Sequence, residues 1–431
     1  MLVSIITLGC SKNTVDSEKL AAGLINNGID VVYDDISNAN VVIINTCGFI
    51  NDAKEESIET ILNSILIKQS KEYILEKVFV FGCLFQRYQS EISSQIPEVD
   101  GWFGVNENKK IIDTILGYSK KIERCSCNNK LRELSTPNHY AYLKISEGCN
   151  KWCSFCAIPI IRGPHVSRTK EDILNEANYL YSKGVKEIIL ISQDLTYYGK
   201  DLYNSLELPN LIKSISEIGF DWIRLHYTHP NEITDELLNL FNEIPQLCKY
   251  LDVPLQHIST PILQSMGRKI TKDETVSLVN KIKQIVPDIC IRTTFIVGYP
   301  GETDEQFKEL YNFVKDARFN RMGAFIYSQE EGTRSSKLED DVLIDIKNER
   351  LEQLMQLQQQ ISLEINQNYI GKKLKVIVDS IEGDYYIARS EFDSPEVDNE
   401  VLIKTDKNLQ IGDFVEVNII DASYFDLFAE Y

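Results

Sequence analysis

The sequence predicts an α/β protein of three parts. An N-terminal doubly wound parallel-sheet domain is followed by a central incomplete (β/α) barrel and a small C-terminal antiparallel β-barrel. Three observations predict this. Over residues 1 to about 120, short and almost wholly apolar runs alternate with amphipathic stretches, the pattern of strands covered on both faces by crossover helices. A second alternation starts at Ala141 and gives six strand–helix units in about 190 residues, which suits an incomplete barrel. Residues 371–431 then change to short β-type runs split by Gly, Asp and Asn. A chain of 431 residues exceeds one ordinary core, so more than one domain is required.

In the first part, "LVSIITL" (Leu2–Leu8), "VVIIN" (Val41–Asn45) and "KVFVFG" (Lys77–Gly82) read as buried parallel strands. Asp52–Ile67 is helical by its periodicity, and a helix after Asn106 closes the unit. Residues 121–139 are polar, end in a Pro-containing turn and read as a linker. In the second part, strands are expected at Ala141–Ile145, Glu187–Ile191, Trp222–Leu225, Tyr250–Val253, Ile289–Val297 and Arg321–Tyr327. A long Gln- and Leu-rich helix, about Ile344–Tyr369, leads out of the barrel. In the last part, "KLKVIVDS", "YYIARS", "EVLIKT" and "DFVEVNIIDA" belong to a small barrel of five short strands, OB-like in kind. The domain boundaries are 1–120, 121–139 as linker, 140–369 with the exit helix, and 370–431.

Lys and Arg number 45 against 64 Asp and Glu, a net charge of −19. That balance repels a phosphate backbone and disfavours nucleic acid as the partner. The composition carries no apolar run of the ~20 residues that span a bilayer. Met1–Ser4 lacks the layout of a signal peptide and leads straight into a strand, so a cytoplasmic location is expected. Ten cysteines in a reducing compartment then point to metal binding rather than disulfides.

Their spacing is specific. "EGCNKWCSFCAIP" sets Cys149, Cys153 and Cys156 at C-x-x-x-C-x-x-C. A closed zinc site takes four ligands, usually as two separated pairs, and a ferredoxin run is spaced differently. Three thiolates on an iron–sulfur cluster leave one iron open for chemistry. The loop follows the first barrel strand, where such barrels carry their active sites. Cys10, Cys47 and Cys83 each follow one of the first-domain strands, in "ITLGC", "IINTC" and "VFGC". Carboxyl ends of parallel strands share one edge, so these three thiols should converge and hold a second cluster. Cys125 and Cys127 read as exposed linker thiols, and Cys248 and Cys290 as core. Trp152 and Phe155 either shield the cluster loop or simply pack. His226, His229 and His257 match no metal spacing and suit substrate-pocket or structural roles. Glu302 is placed to cap the helix that follows it.

On these motifs the chain resembles the radical S-adenosylmethionine enzymes. The order of three parts, with three N-terminal cysteines and a TRAM-like barrel at the end, is similar to the methylthiotransferases among them. The resemblance implies two four-iron clusters, on Cys149, Cys153 and Cys156 and on Cys10, Cys47 and Cys83, with S-adenosylmethionine on the open iron of the former. It implies no catalytic residue beyond the cluster ligands. "KGVKEIILISQD" and "TTFIVGYPGET" resemble the segments lining the cofactor pocket, which implies contacts from Glu187, Thr294 and Gly298. "WIRLHYTHP", "YLDVPLQHIS" and "ARSEFDSPEVDN" resemble the branch that modifies an aspartate of ribosomal protein S-twelve, rather than the branch that modifies tRNA adenosine. An electron donor and a sulfur source are implied as further partners. From Gly371 to Tyr431 there are 6 Lys and Arg against 14 Asp and Glu, a net of −8. An acidic barrel suits a basic protein better than tRNA, and Glu391, Asp393, Glu396 and Asp398 are the acids expected to dock it.

Overall fold

The computed structural model describes residues 1–118 and 130–431. It divides into two compact units: Met1–Thr136, Tyr142–Asn150 and Ala157–His165 form the first, and Pro137–Ala141, Lys151–Cys156 and Val166–Tyr431 the second. These units cut the chain differently from the boundaries at 120 and 139. Cys125 and Cys127, read as linker thiols, lie outside the described residues. The described part of the expected linker is anchored rather than loose. Arg132 is buried and pairs with buried Glu18, its Nε donating at 3.0 Å, and Ser135 N–H donates to the same carboxylate at 2.8 Å.

In the first unit, strands β1 (Leu2–Thr7), β2 (Asp30–Tyr33), β3 (Val41–Thr46), β4 (Lys77–Gly82) and β5 (Gly101–Phe103) form one parallel sheet in the order β2-β1-β3-β4-β5. Helices α1 (Ser11–Asn26), α2 (Asn51–Ser70), α3 (Cys83–Gln95) and α4 (Asn108–Tyr118) cover it. The apolar runs are continuous because alternate residues serve opposite faces. Val41, Ile43, Phe79 and Phe81 pack with Leu20 and Leu24 of α1 and Ile111 and Ile115 of α4. Val42, Ile44, Val78 and Val80 pack with Ile61 and Ile65 of α2 and Leu84 and Ile92 of α3.

The central sheet has strands β6 (Tyr140–Lys144), β7 (Glu187–Ile191), β8 (Trp222–Leu225), β9 (Leu247–Asp252), β10 (Cys290–Val297) and β11 (Arg321–Ile326), each beside its predecessor. Pairings from β7 to β11 are parallel, and the sheet stays open. Phe295 packs outward on Phe313 and Phe319, which leaves Arg292, Thr294 and Ile296 on the other face of β10. The exit helix spans Ile344–Gln367. Cys248 and Cys290 are buried in a cluster with Trp222 and Tyr250, and burial pushes both thiols up. The last segment is a closed barrel of β12 (Lys373–Glu382), β13 (Tyr385–Ser390), β14 (Val401–Lys404), β15 (Phe414–Ala422) and β16 (Leu427–Glu430), ordered β12-β13-β14-β16-β15. No helix among the described residues is long and apolar enough to cross a membrane.

Two expectations are corrected at the seam between central sheet and barrel. Ala388–Asp398 is an internal clamp, not a docking surface. Asp393 is buried and takes Arg321 Nε at 3.0 Å; Asp398 takes Tyr250 OH at 2.7 Å, with Arg292 Nε at 3.3 Å. Glu391 accepts Lys249 N–H at 3.1 Å, and Glu396, itself exposed, accepts Tyr140 OH at 3.2 Å. His226 Nε2 lies 2.8 Å from Ser394 Oγ, so this histidine is structural. Glu187 is the second correction. It opens β7 at the amino end and is fully buried, with Arg224 Nε at 2.7 Å on one carboxylate oxygen and Arg389 Nη2 at 2.8 Å on the other. Burial alone would raise its pKa, but the two guanidiniums lower it below the usual carboxylate range. Glu187 therefore fastens the C-terminal barrel to the sheet, on the end opposite to where a cofactor would bind. Breaking such a buried pair from one side costs about 3–5 kcal/mol.

Candidate functional site

Strand order brings Cys10, Cys47 and Cys83 to one edge of the first unit's sheet. Cys10 precedes α1, Cys47 follows β3 and Cys83 opens α3 directly after β4. Strands β1, β3 and β4 are immediate neighbours, and at about 4.8 Å per strand their ends span about 10 Å. That is the scale of one cluster. Glycine lets the loops close: a Cβ on Gly9 would stand 2.8 Å from Cys47 Cβ, and one on Gly48 2.7 Å from Leu84 Cα. Asn13 ties the loops together, donating to Leu8 O at 2.8 Å and Thr46 O at 3.3 Å. Ser57 of α2 holds Cys47 by both its N–H (3.1 Å) and its C=O (3.0 Å).

Cys83 is buried, Cys47 half-buried and Cys10 exposed. Burial pushes the Cys47 thiol up and the Cys83 thiol up to about 12. A metal would have to displace those protons, since only thiolates ligate. Among the described residues no three His, Cys, Asp or Glu side chains are grouped for a single ion. A four-iron cluster asks for something else, because each thiolate sits on a different iron. Three soft donors at one sheet edge, with loop glycines that keep Cβ atoms out of the space, fit such a group.

The other cysteine loop is pinned from several sides. Cys149 N–H donates to Gly163 O at 3.2 Å. Cys156 N–H donates to Cys153 O at 3.1 Å, and Ser154 N–H to Met266 O at 2.8 Å. Arg268 Nη1 lies 3.7 Å from Cys153 Sγ. Burial works against a thiolate at Cys153, but hydrogen bonding with His229 and the Arg268 guanidinium outweigh it and bring the thiol down to about 7. Cys153 is thus the thiol of this loop whose surroundings favour the ligating form. Phe155 packs against Met266, Tyr299 and Tyr327, so packing is its role. Trp152 is 54% exposed and adopts φ +52°, its carbonyl held by Arg334.

At the carboxyl edge of the same sheet, Ser192 Oγ is buried with no hydrogen-bond partner. Lys151 Nζ, from the cysteine loop, pairs with Glu232 and lies 3.5 Å from Asp194. Ser192 and Asp194 stand just past β7, where Glu187 does not, and both belong to the "ISQD" that ends the motif. Thr294 lies on the face of β10 shared with Arg292 and Ile296, its carbonyl accepting Gln256 N–H at 2.8 Å. Gly298 ends that strand at φ +67° and donates its N–H to Glu302. Glu302 consequently does not cap the next helix. It turns back on Gly298 and Tyr299, while Thr303 is the N-cap of Asp304–Ala317 with a capping box from Gln306. His257 is buried, accepts Ser259 N–H at 3.0 Å and faces Glu302 at 3.7 Å.

Comparison with known proteins fits this arrangement. Residues 143–314 match the radical SAM superfamily model, 2–104 the "Uncharacterized protein family UPF0004" model and 370–431 the TRAM domain model. The chain is 52% identical over 432 residues to the ribosomal protein uS12 methylthiotransferase RimO of Phocaeicola vulgatus, covering 99% of this chain and 98% of that protein. RimO of Cytophaga hutchinsonii is 48% identical (99% and 97% covered) and that of Flavobacterium johnsoniae 46% (99% and 97%). Among solved structures, the radical S-adenosylmethionine methyltransferase TsrM of Kitasatospora setae shares the fold at TM-score 0.55 and 12% identity, covering 89% of this chain and 79% of that one. The cobalamin-dependent radical enzyme OxsB does so at TM-score 0.52 and 13% identity, with 82% and 56% covered.

Proposed function

Because the chain belongs to the ribosomal protein uS12 methylthiotransferase family, we propose that it exchanges a β-carbon hydrogen of an aspartate in that ribosomal protein for a methylthio group. It is a radical S-adenosylmethionine enzyme. Cys149, Cys153 and Cys156 would hold the cluster that binds S-adenosylmethionine, and Cys10, Cys47 and Cys83 a second one. When bound, these groups supply what no side chain can: one-electron removal of an unactivated hydrogen, sulfur to replace it, and a methyl group. The protein's part is positional. Arg268 and His229 favour the thiolate at Cys153. Ser192, Asp194 and the half-buried Thr294 would offer polar contacts to the cofactor, whereas the space beside Gly298 is taken by the Lys347 side chain and its N–H by Glu302. The electron and the sulfur come from a donor and a source outside the chain, and a cytoplasmic setting suits both them and a ribosomal substrate.

The observation that carries the two-cluster reading is the convergence of Cys10, Cys47 and Cys83 on neighbouring strand ends. Docking of a basic substrate falls to acids that the internal clamp leaves free: Glu382, Asp384, Glu400 and Asp406 are exposed on the C-terminal barrel. Reversing these four charges is expected to slow association with ribosomal protein S-twelve several-fold at low salt and little at high salt, as the Debye length falls from about 10 Å at 0.1 M to about 3 Å at 1 M. Binding kinetics at both salts, with tRNA as competitor, test this. Tighter binding of tRNA than of the ribosomal protein would reject the substrate; unaltered kinetics in the charge-reversed variant would reject the docking surface.

A further inference from the structure

We propose that Arg162 is the positioning residue of the N-terminal cluster, holding Cys83 at its iron and offsetting thiolate charge. This rests on the two-cluster reading. The short helix α5 (Ile158–Arg162) begins two residues after Cys156 in sequence, and within the first unit it lies against Cys83. Ala157 and Ile161 pack on that cysteine. The guanidinium completes the contact. Its Nε and Nη2 stand 3.3 and 3.2 Å from Cys83 Sγ, and Nη2 also donates to Asn13 Oδ1 at 2.6 Å. Nη1 pairs with Asp16 at 2.8 Å and Glu147 at 3.3 Å.

This side chain is only 2% exposed, and a buried cation requires anionic partners. Asp16 and Glu147 would serve, but they share their charge with Lys144, which pairs with both. Two N–H groups of the planar fork are spent instead on one sulfur. A point-charge ammonium could not make that contact. Asn13 bonds the guanidinium and the loops around Cys10 and Cys47 at once, so the arginine fixes the ligand loop as well as the ligand. Hydrogen bonds to ligating sulfurs and nearby positive charge both raise a cluster's reduction potential.

The test uses the full chain carrying Cys149→Ala, Cys153→Ala and Cys156→Ala, so that only the N-terminal cluster is reconstituted. Iron is counted, and the potential is read by redox titration followed by electron paramagnetic resonance. Arg162→Met is expected to move the potential downward and Arg162→Lys to move it less. Ile161→Ala, which trims the packing on Cys83 but keeps the donors, should leave the potential in place. An unchanged potential in Arg162→Met, or an equal shift in Ile161→Ala, would overturn the proposal. If Arg162→Met releases its iron, retention by Ile161→Ala supports the proposal, and loss from Ile161→Ala as well contradicts it. A parent protein that binds no iron would remove the second cluster itself, and this role with it.

Discussion

Replacing Cys149, Cys153 and Cys156 together by alanine is expected to remove about half of some eight irons per chain and to abolish S-adenosylmethionine cleavage. The magnitude follows from what the loop does. With three thiolates lost, no cysteine of this loop remains to hold the cluster that would reduce the cofactor. The fold should survive, because the loop's backbone and Ser154 hold it in addition to the contacts at Cys153. Iron analysis of anaerobically reconstituted protein and assay of 5′-deoxyadenosine read the two effects separately. Full iron content in the triple variant would show these cysteines are not the ligands.

The complementary replacement of Cys10, Cys47 and Cys83 is expected to halve the iron as well, with the opposite split of activities. Cleavage of S-adenosylmethionine should continue, since the cysteines that bind its cluster are intact, while methylthiolation should fall to background. The three thiols lie at the ends of β1, β3 and β4, and their loops are fixed chiefly by Asn13 and Ser57, with Arg162 on Cys83 the sulfur contact that is lost. The variant should therefore lose its iron and keep its sheet. Methylthiolated product from this variant would remove the sulfur-donating role. Loss of cofactor cleavage would mean the two clusters depend on one another.

Much of this was legible because burial writes itself into sequence. Val41–Thr46 and Lys77–Gly82 are apolar along their length since helices cover both faces of their sheet. The edge strands Asp30–Tyr33 and Gly101–Phe103 escaped detection; one is half-exposed and the other only three residues long. Spacing points to the six cysteines, but only the sheet order β2-β1-β3-β4-β5 explains why three of them share one edge. The acids of Ser390–Asp398 read as surface because composition cannot show that Arg292 and Arg321, far earlier in the chain, come to meet them. Glu187 is misleading in sequence for a related reason: a motif match names the strand but not which of its ends carries the chemistry. Asn13 and Arg162 gave no periodic signal. The one hint was a charged residue closing the apolar run "AIPIIR" beside a cysteine loop.

The central claim is methylthiolation of a ribosomal aspartate, and mass spectrometry of ribosomal protein S-twelve from cells with and without this gene tests it most directly. The account predicts one aspartate heavier by about 46 Da (about 32 for sulfur plus about 14 for CH₂) only where the gene is present. Identical masses in both strains, with methylthio groups instead disappearing from tRNA adenosines when the gene is removed, would contradict it.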